Sequence, residues 1–168
     1  MELHGKRIVL GVTGGIAAYK AAELVRLLTK AGAEVQVIMT EAATQFVAPL
    51  TFETLSGRPV YWKMFERSRA WEIEHIAFAR WGNLLVVAPA TANSIAKMAQ
   101  GIADDPLTTT ALAFRGPLLI VPAMNTAMWK HPQTQANINA LREWGTLILQ
   151  PDIGLGLRMF PHGSVNSG

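Results

Sequence analysis

Small and polar residues follow four apolar runs of this sequence, and they provide the groups most suited to holding a ligand. The first loop, residues 13–15 (TGG), joins an apolar run to an amphipathic stretch. Its backbone N–H groups and the start of the helix behind it favour a phosphate. The loop is neither G-x-G-x-x-G nor a Walker loop with its Lys-Ser/Thr pair. A tight turn between a strand and a helix, with glycines required for packing, explains it about as well.

The other three loops carry side chains that can bind polar groups. Thr40 directly follows the second run, where its hydroxyl suits either a ligand beside the first loop or the cap of a helix. Residues 89–93 (PATAN) offer a hydroxyl, an amide and backbone groups to the polar edge of a ring. Asn125 is the first polar residue after the fourth run, and its amide can bind a carboxylate or a carbonyl. The methionines beside it are equally consistent with core packing.

Titratable residues form few catalytic arrangements in the sequence. His75 lies among apolar residues just before a strand-like segment, where a lone histidine is more often structural than catalytic. The other three histidines occupy terminal or loop segments, and no pair has the spacing of a metal site. The adjacent acids Asp104 and Asp105 are explained by a helix start, where negative charge is stabilising. The sequence has no G-x-S-x-G motif, which argues against a serine hydrolase.

Apolar runs and amphipathic stretches alternate along the chain. The hydrophobic pattern predicts helices at residues 16–30, 41–47, 92–99, 107–114 and 133–144. It predicts strands at residues 8–12, 35–39, 84–88, 118–121 and 147–149, with a further short strand at 60–62. This alternation predicts a single α/β domain with a Rossmann-like or flavodoxin-like parallel sheet and helices on both faces. Such sheets bind ligands at the carboxyl ends of their strands, which is where the four loops lie.

The composition excludes several classes of protein. With 168 residues, half of them apolar and 16% charged, the chain is long enough for one domain and too apolar to be disordered. Its apolar runs fall short of the roughly 18 residues of a membrane span. The net charge of +3 is not concentrated into a basic stretch of the kind that binds nucleic acid.

Cysteine is absent from the sequence. Its absence excludes disulfides, a thiolate nucleophile and a cysteine-ligated metal within these residues. The apolar run at residues 8–12 follows Lys6 and Arg7 but is too short for a signal peptide. A cytoplasmic protein is therefore expected.

Four motifs, taken in order, resemble one family. They are residues 14–20 (GGIAAYK), the isolated His75, residues 88–93 (APATAN) and residues 122–129 (PAMNTAMW), of which P-A-M-N is the most specific. The chain resembles the homo-oligomeric flavin-containing cysteine decarboxylases over about residues 6 to 151. Within that family it is most similar to the enzymes that decarboxylate phosphopantothenoylcysteine in coenzyme A synthesis.

The resemblance implies an FMN-dependent carboxy-lyase. It places the FMN phosphate at the first and second loops and the flavin ring near the third. It matches His75 to the catalytic base, Asn125 to the residue that binds the substrate carboxylate, and Met128 to a substrate contact. The residues that it assigns to the cofactor are Thr13, Gly14, Gly15, Ile16, Thr40, Pro89, Ala90, Thr91 and Ala92.

The family chemistry implied by the resemblance begins with oxidation of the cysteinyl thiol to a thioaldehyde by the flavin. The carboxylate then leaves as CO₂, because the C=S group accepts its electrons, and the product is an enethiol. In the coenzyme A enzymes, reduced flavin next returns a hydride, assisted by a cysteine in a glycine-rich C-terminal flap.

This sequence departs from the family at that flap. Residues 153–159 (IGLGLRM) match the G-x-G-R-M part with one additional residue before Arg158, but the cysteine-bearing part is missing. We expect residues 1–150 to form the flavin-binding decarboxylase domain and residues 151–168 to form a shortened substrate flap and tail. Arg158 and Met159 are then substrate-binding candidates, although an exposed arginine in a tail is the plainer interpretation.

Two substrate classes stay open. One is phosphopantothenoylcysteine, used by an enzyme that is altered at the flap and stops at the enethiol. The other is a peptide ending in cysteine, as in the peptidyl-cysteine decarboxylases of lantibiotic-type pathways, which need no flap cysteine. A non-catalytic flavin-binding regulatory subunit is a third alternative, but the intact His75 and Asn125 argue against it. Flavin prenyltransferases share the glycine loop and lack P-A-M-N.

The resemblance also implies a homo-oligomer, a trimer or a multiple of trimers, with FMN held between subunits. The expected partners are therefore further copies of this chain and a cysteine-ending substrate, with no nucleic acid, membrane or metal. Large apolar side chains are expected at the contact between copies. The candidates for that contact are Trp62, Met64, Phe65, Trp71 and Trp129.

Overall fold

A five-stranded sheet forms the centre of the computed structural model, which describes residues 2–64 and 71–151, excluding the side chains of residues 71–73. All neighbouring strands are parallel, and their order is β2-β1-β3-β4-β5. The strands are β1 (Arg7–Val12), β2 (Glu34–Met39), β3 (Leu84–Ala90), β4 (Leu118–Pro122) and β5 (Leu147–Ile148). The inner strands are buried on both faces, as their uninterrupted apolar sequences require.

Helices cover both faces of this sheet. They are α1 (Ala18–Lys30), α2 (Pro49–Ser56), α3 (Trp71–Trp81), α4 (Ala92–Gln100), α5 (Pro106–Ala113), α6 (Thr126–Lys130) and α7 (Pro132–Glu143). Side chains of α1 and α2, such as Val25 and Phe52, share one apolar core with Leu10 of β1. Those of α4, α5 and α7 share a second core with the opposite face, which includes Val9. The predicted doubly covered α/β sheet is confirmed.

The five predicted strands all exist, within two residues of their predicted limits. The short strand expected at residues 60–62 is reduced to a single parallel bridge, in which Tyr61 pairs with Ile38 of β2. The N–H of Met39 donates a 2.9 Å hydrogen bond to the carbonyl of Tyr61, and the N–H of Tyr61 donates a 3.2 Å hydrogen bond to the carbonyl of Val37. These two bonds hold Tyr61 against β2.

Three helical predictions need correction. The helix expected at residues 41–47 is a shorter 3-10 turn, Ala42–Gln45, and α2 follows it. Pro49 does not end a helix but begins α2, because the missing N–H of proline costs nothing in a first helical turn. The strand-like segment expected after His75 is part of α3, in which the ring of Phe78 packs against Tyr61. The short α6 was not predicted.

The order of the strands creates a crevice. From β1 the chain passes to β2 on one side, whereas β3 leads to β4 on the other side. The loops that leave the carboxyl ends of the adjacent strands β1 and β3 therefore diverge, and ligands bind at such a switch point. Among the described residues, no helix is long and apolar enough to cross a membrane.

Candidate functional site

A cleft of about 380 Å³ opens at the carboxyl edge of the sheet, above β1, β3 and β4. We call it the carboxyl-edge cleft. It is formed by loops from three of the four predicted positions, those after β1, β3 and β4. Its lining residues are Gly14, Gly15, Ile16, Ala17, Thr91, Ala92, Ala123, Met124, Asn125 and Met128.

The first loop lies directly against the 3-10 turn that follows β2. A Cβ atom on Gly14 would overlap the Cβ of Ala42 and would lie 2.8 Å from its carbonyl carbon. Neither Gly14 nor Gly15 has a positive φ, so Gly14 is required here for space rather than for backbone conformation. A Cβ on Gly15 would lie 3.6 Å from the Cγ2 of Thr91, an ordinary contact across the cleft.

Thr40, at the end of β2, supports this arrangement from below. Its side chain is buried, and its hydroxyl accepts a 3.2 Å hydrogen bond from the N–H of Ala43 in the 3-10 turn. Its own N–H donates to the carbonyl of Val12 at 3.1 Å. Thr40 therefore ties the second loop to the end of β1 and does not line the carboxyl-edge cleft.

The third loop turns directly into α4. Thr91 caps that helix, because its hydroxyl accepts a 3.2 Å hydrogen bond from the N–H of Ser94. Pro89 and Ala90 are buried at the end of β3, below the lining of the cleft, and the peptide bond that precedes Pro89 is cis. Thr91 and Ala92 are the predicted residues of this loop that reach the cleft.

Asn125 caps α6 at the opposite wall of the cleft. Its Oδ1 accepts a 2.8 Å hydrogen bond from the N–H of Met128, and its side chain is exposed. Within the described part of the chain, the two N–H donors of its side-chain amide are not used in any hydrogen bond. The cap thus fixes the side chain and leaves a neutral donor pair for a ligand. Met128 is 45% exposed beside it.

Among the described residues, those that line the cleft carry no charged side chain. The hydrogen bonds of the described residues leave unused the N–H groups of Gly14, Ile16 and Ala17 in the first loop, and those of Ala92 and Asn93 at the start of α4. Unpaired N–H groups at two adjacent helix starts attract an anion. The carboxyl-edge cleft therefore combines apolar walls, anion-binding backbone and one oriented amide.

His75 does not line this cleft. It lies half-buried in α3, the helix whose Phe78 packs on Tyr61 beside β2. α3 packs against α5 and is followed by β3. In one chain, His75 is not among the described residues that line the cleft beside Asn125.

Of the remaining predicted residues, several lie outside the described residues and one is buried. Arg158 and Met159 lie outside the described residues, as does Phe65, and the side chain of Trp71 is not described. Trp129, predicted as a surface residue, is 8% exposed, because α6 turns it into the core of the second face. Ala123 and Met124 line the cleft without having been predicted, although their position between a strand end and Asn125 was a usable signal.

Comparison with known proteins gives consistent similarities. A family model described as Flavoprotein matches residues 1–162. The coenzyme A biosynthesis bifunctional protein CoaBC of Bacillus subtilis (strain 168) is 49% identical over 152 residues, which are 90% of this chain. The chain spans only 37% of the length of that relative.

Solved structures resemble the fold closely. The FMN-dependent cysteine decarboxylase SpaF superimposes with a TM-score of 0.83 at 36% identity, covering 92% of this chain and 89% of SpaF. A cysteine-to-serine mutant of PPC decarboxylase, complexed with pantothenoylaminoethenethiol, superimposes with a TM-score of 0.76 at 29% identity. That match covers 90% of this chain and 88% of the other.

Proposed function

The chain belongs to the Flavoprotein family, and from that premise we propose that it is an FMN-dependent decarboxylase of substrates that end in cysteine. The observation that carries this proposal is the carboxyl-edge cleft, which is bordered by loops with unused backbone N–H groups and by a side-chain amide held by its helix cap. The first feature suits a phosphate, and the second suits a carboxylate.

The residues of the cleft fit FMN chemically. Gly14, Ile16 and Ala17 would bind the phosphate through their N–H groups, supported from below by Thr40 and the 3-10 turn. The apolar wall of Ala92, Ala123 and Met124 suits the flat flavin ring. When bound, FMN supplies a two-electron oxidation of the substrate thiol.

Asn125 would hold the carboxylate that is lost. Its two free N–H donors bind a carboxylate without the strong ion pair that an arginine would form, so departure as CO₂ is not opposed. Its Oδ1 stays engaged with the N–H of Met128, which keeps the donors directed outward. The exposed side chain of Met128 would contact the substrate beside it.

His75 would act as the base that takes the thiol proton, and it would do so at the cleft of another copy of the chain. His75 is not among the described residues that line the cleft of one chain, which favours a site shared between subunits. A homotrimer, or a multiple of trimers, would bring His75 of one subunit to the cleft of the next. Neutral imidazole accepts a proton effectively near pH 7.

The product is proposed to be the enethiol. The 168 residues contain no cysteine that could assist its saturation. Among the similar proteins, a PPC decarboxylase whose cysteine was changed to serine holds pantothenoylaminoethenethiol, which supports this endpoint. Loss of CO₂ and two hydrogens makes the product about 46 mass units lighter than the substrate and transfers two electrons to the cofactor.

Two substrate classes compete. The 49% identity with CoaBC favours phosphopantothenoylcysteine as the substrate. CoaBC is bifunctional, and its second activity would then belong to the part of CoaBC that this chain does not match. The similarity to SpaF, an FMN-dependent cysteine decarboxylase, at 36% identity over nearly all of both chains, does not separate phosphopantothenoylcysteine from the alternative, a Cys-terminal peptide made for a modified-peptide pathway. We take phosphopantothenoylcysteine as the main candidate because the identity to CoaBC is higher.

We propose that residues 1–150 form the catalytic unit and residues 151–168 a substrate flap, with Arg158 and Met159 meeting the substrate. The proposed place of action is the cytoplasm, where phosphopantothenoylcysteine or a precursor peptide would be encountered.

The test is an anaerobic single turnover of the FMN-loaded protein with phosphopantothenoylcysteine and, separately, with Cys-terminal peptides. Mass spectrometry should detect a product about 46 mass units lighter on one of the two, with the flavin left reduced. A product lighter by about 44 units with oxidised flavin would contradict the enethiol endpoint. It would still support the proposal that the protein is a decarboxylase. No product from either class would contradict the decarboxylase itself.

A further inference from the structure

Thr13 lies at the point where the first and third loops meet, and its side chain is fully buried. Its hydroxyl donates a 2.7 Å hydrogen bond to the carbonyl of Pro89, at the end of β3. The same oxygen accepts a 3.0 Å hydrogen bond from the N–H of Thr91, the residue that caps α4. The side chain of Thr13, the residue directly after β1, thus bridges two backbone groups that lie 76 and 78 residues further along the chain.

These bonds occupy the groups with which Thr13 could meet a ligand. A hydroxyl has one proton to donate, and that proton goes to Pro89. The accepting side of the oxygen faces Thr91, and none of the side chain is open to the cleft. Thr13 therefore does not touch the cofactor, although the sequence motif groups it with residues that do.

The position of the bridge gives Thr13 a different role. On one side of Thr13, the chain continues into Gly14, Ile16 and Ala17, whose N–H groups are unused in the described structure. On the other side, Thr91 leads into Ala92 and Asn93, whose N–H groups are also unused there. The two segments diverge at the switch point between β1 and β3. A backbone hydrogen bond of 3.3 Å from the N–H of Thr13 to the carbonyl of Pro89 joins them, and among the described hydrogen bonds the Thr13 hydroxyl is what ties the next loop residue, Thr91, to the first loop.

We infer that Thr13 is a positioning residue. Its hydroxyl holds the first loop and the start of α4 at the separation that lets their N–H groups bind one anionic ligand together. This inference rests on the proposed function, in which that ligand is FMN. It also predicts a property of the protein without FMN: the N–H of Thr91 is protected from solvent exchange only while the hydroxyl of residue 13 accepts its hydrogen bond.

Thr110 provides the matched control. It is fully buried, and its hydroxyl donates a 2.7 Å hydrogen bond to the carbonyl of Pro106 within α5, away from the cleft. Replacing either threonine with valine removes one buried hydroxyl at nearly constant volume. Only Thr13→Val removes a bond between the two loops.

The experiment measures FMN affinity by the change of flavin fluorescence on binding and amide exchange by NMR in the FMN-free protein. Thr13→Val should weaken FMN binding at least about tenfold, the equivalent of one lost buried hydrogen bond, and should accelerate exchange of the Thr91 N–H. Thr13→Ser keeps the hydroxyl and should restore both to within a few-fold of the parent. Thr110→Val should leave both unchanged.

Unchanged exchange at Thr91 in Thr13→Val, or equal losses of FMN affinity in the two valine variants, would overturn the positioning role. If Thr13→Val does not fold, Thr13→Ala replaces it with the same expected results, because it removes the hydroxyl without adding a methyl group. A parent protein that does not bind FMN would contradict the proposed function. It would leave the test of the Thr13 bridge in place, because exchange of the Thr91 N–H is measured without FMN.

Discussion

Asn125 illustrates how one side chain serves structure and chemistry at once. Its oxygen caps α6 through the N–H of Met128, and this leaves its two N–H donors for a ligand. Capping therefore fixes the direction of the donors without a partner from the core. Of the described residues that line the carboxyl-edge cleft, Asn125 alone has a side-chain amide with an unused donor pair.

Asn125→Asp should abolish decarboxylation while leaving the fold intact. Aspartate caps helices as well as asparagine, so Oδ1 can still accept from Met128. The added negative charge repels the substrate carboxylate, and the two donors are lost. Turnover and the flavin spectrum are the measurements, and an unchanged melting temperature is the control. An aspartate variant that still releases CO₂ at the rate of the parent would show that Asn125 does not hold the carboxylate.

His75→Asn should keep FMN and lose decarboxylation by at least about a hundredfold, the usual contribution of a general base. The expectation follows from the half-buried imidazole on α3, which asparagine replaces with a smaller polar group. Rate measurements at saturating FMN test it. Activity within a few-fold of the parent would make His75 a structural residue of α3.

Gly14 and Gly15 are adjacent but should respond differently to alanine. In Gly14→Ala the new methyl overlaps Ala42, so the free energy of unfolding should fall by about 1–3 kcal/mol, the usual cost of overpacking. In Gly15→Ala the methyl has ordinary contact with Thr91, and stability should stay within about 0.5 kcal/mol. Urea unfolding of the FMN-free proteins measures both. Equal stabilities would mean that the 3-10 turn moves aside.

At the scale of elements, α3 and α2 are held by contacts that the local sequence does not display. Tyr61 extends β2 by a single bridge, and its ring lies 5.8 Å from that of Phe78 on α3. This contact joins two elements that the chain separates by the segment 65–70. The hydroxyl of Tyr61 is buried and, among the described residues, has no hydrogen-bond partner.

Tyr61→Phe should stabilise the protein by about 1 kcal/mol at neutral pH, because it removes an unsatisfied buried hydroxyl. Burial raises the pKa of Tyr61, and the nearby Glu74 carboxylate raises it further. The unfolded chain then loses the tyrosine proton near pH 10, before the folded chain does, so stability falls as the pH rises through that range.

Thermal unfolding between pH 7 and 11 measures this dependence. Tyr61→Phe should flatten the alkaline loss of stability, whereas Tyr19→Phe, at a side chain that is 56% exposed, should leave the stability at pH 7 unchanged. A phenylalanine variant that is less stable than the parent at pH 7 would mean that the Tyr61 hydroxyl has a partner in solution.

At the scale of the whole molecule, the distribution of exposed apolar side chains favours contact between copies. Ile16, Tyr19, Phe46 and Leu50 are all more than half exposed. Ile16 lines the carboxyl-edge cleft just before α1, Tyr19 lies in the first turn of α1, and α1 packs against α2, which contains Leu50. These side chains, rather than the buried Trp129, are candidates for the contact between copies.

A site shared between subunits predicts complementation. His75→Asn and Asn125→Asp should each be inactive alone. Co-assembly of the two variants in equal amounts should restore about one quarter of the parent activity, because one site in four then combines a native Asn125 with a native His75 from the next copy. Light scattering should give a trimer or a multiple of it. Mixed assemblies without activity would place both residues in the site of one chain.

The sequence by itself determined the sheet and the place of the site. Short uninterrupted apolar runs such as residues 84–88, ended by a proline, favour strands buried on both faces, and alternation with helices makes those strands parallel. Because parallel strands end at one edge, the loops after them were predicted to meet there, and Gly15, Thr91 and Asn125 do. Local order along the chain is enough for such conclusions.

The roles of individual residues were decided only by the tertiary structure. That Gly14 is needed for the space beside Ala42, and that Thr13 bridges Pro89 and Thr91, depends on pairs of atoms far apart in sequence. The period of the segment around His75 is ambiguous between helix and strand, and its packing beside Tyr61 resolves it. Which side chains reach a ligand and which hold others in place is a property of three-dimensional contacts, and no spacing along the chain encodes it.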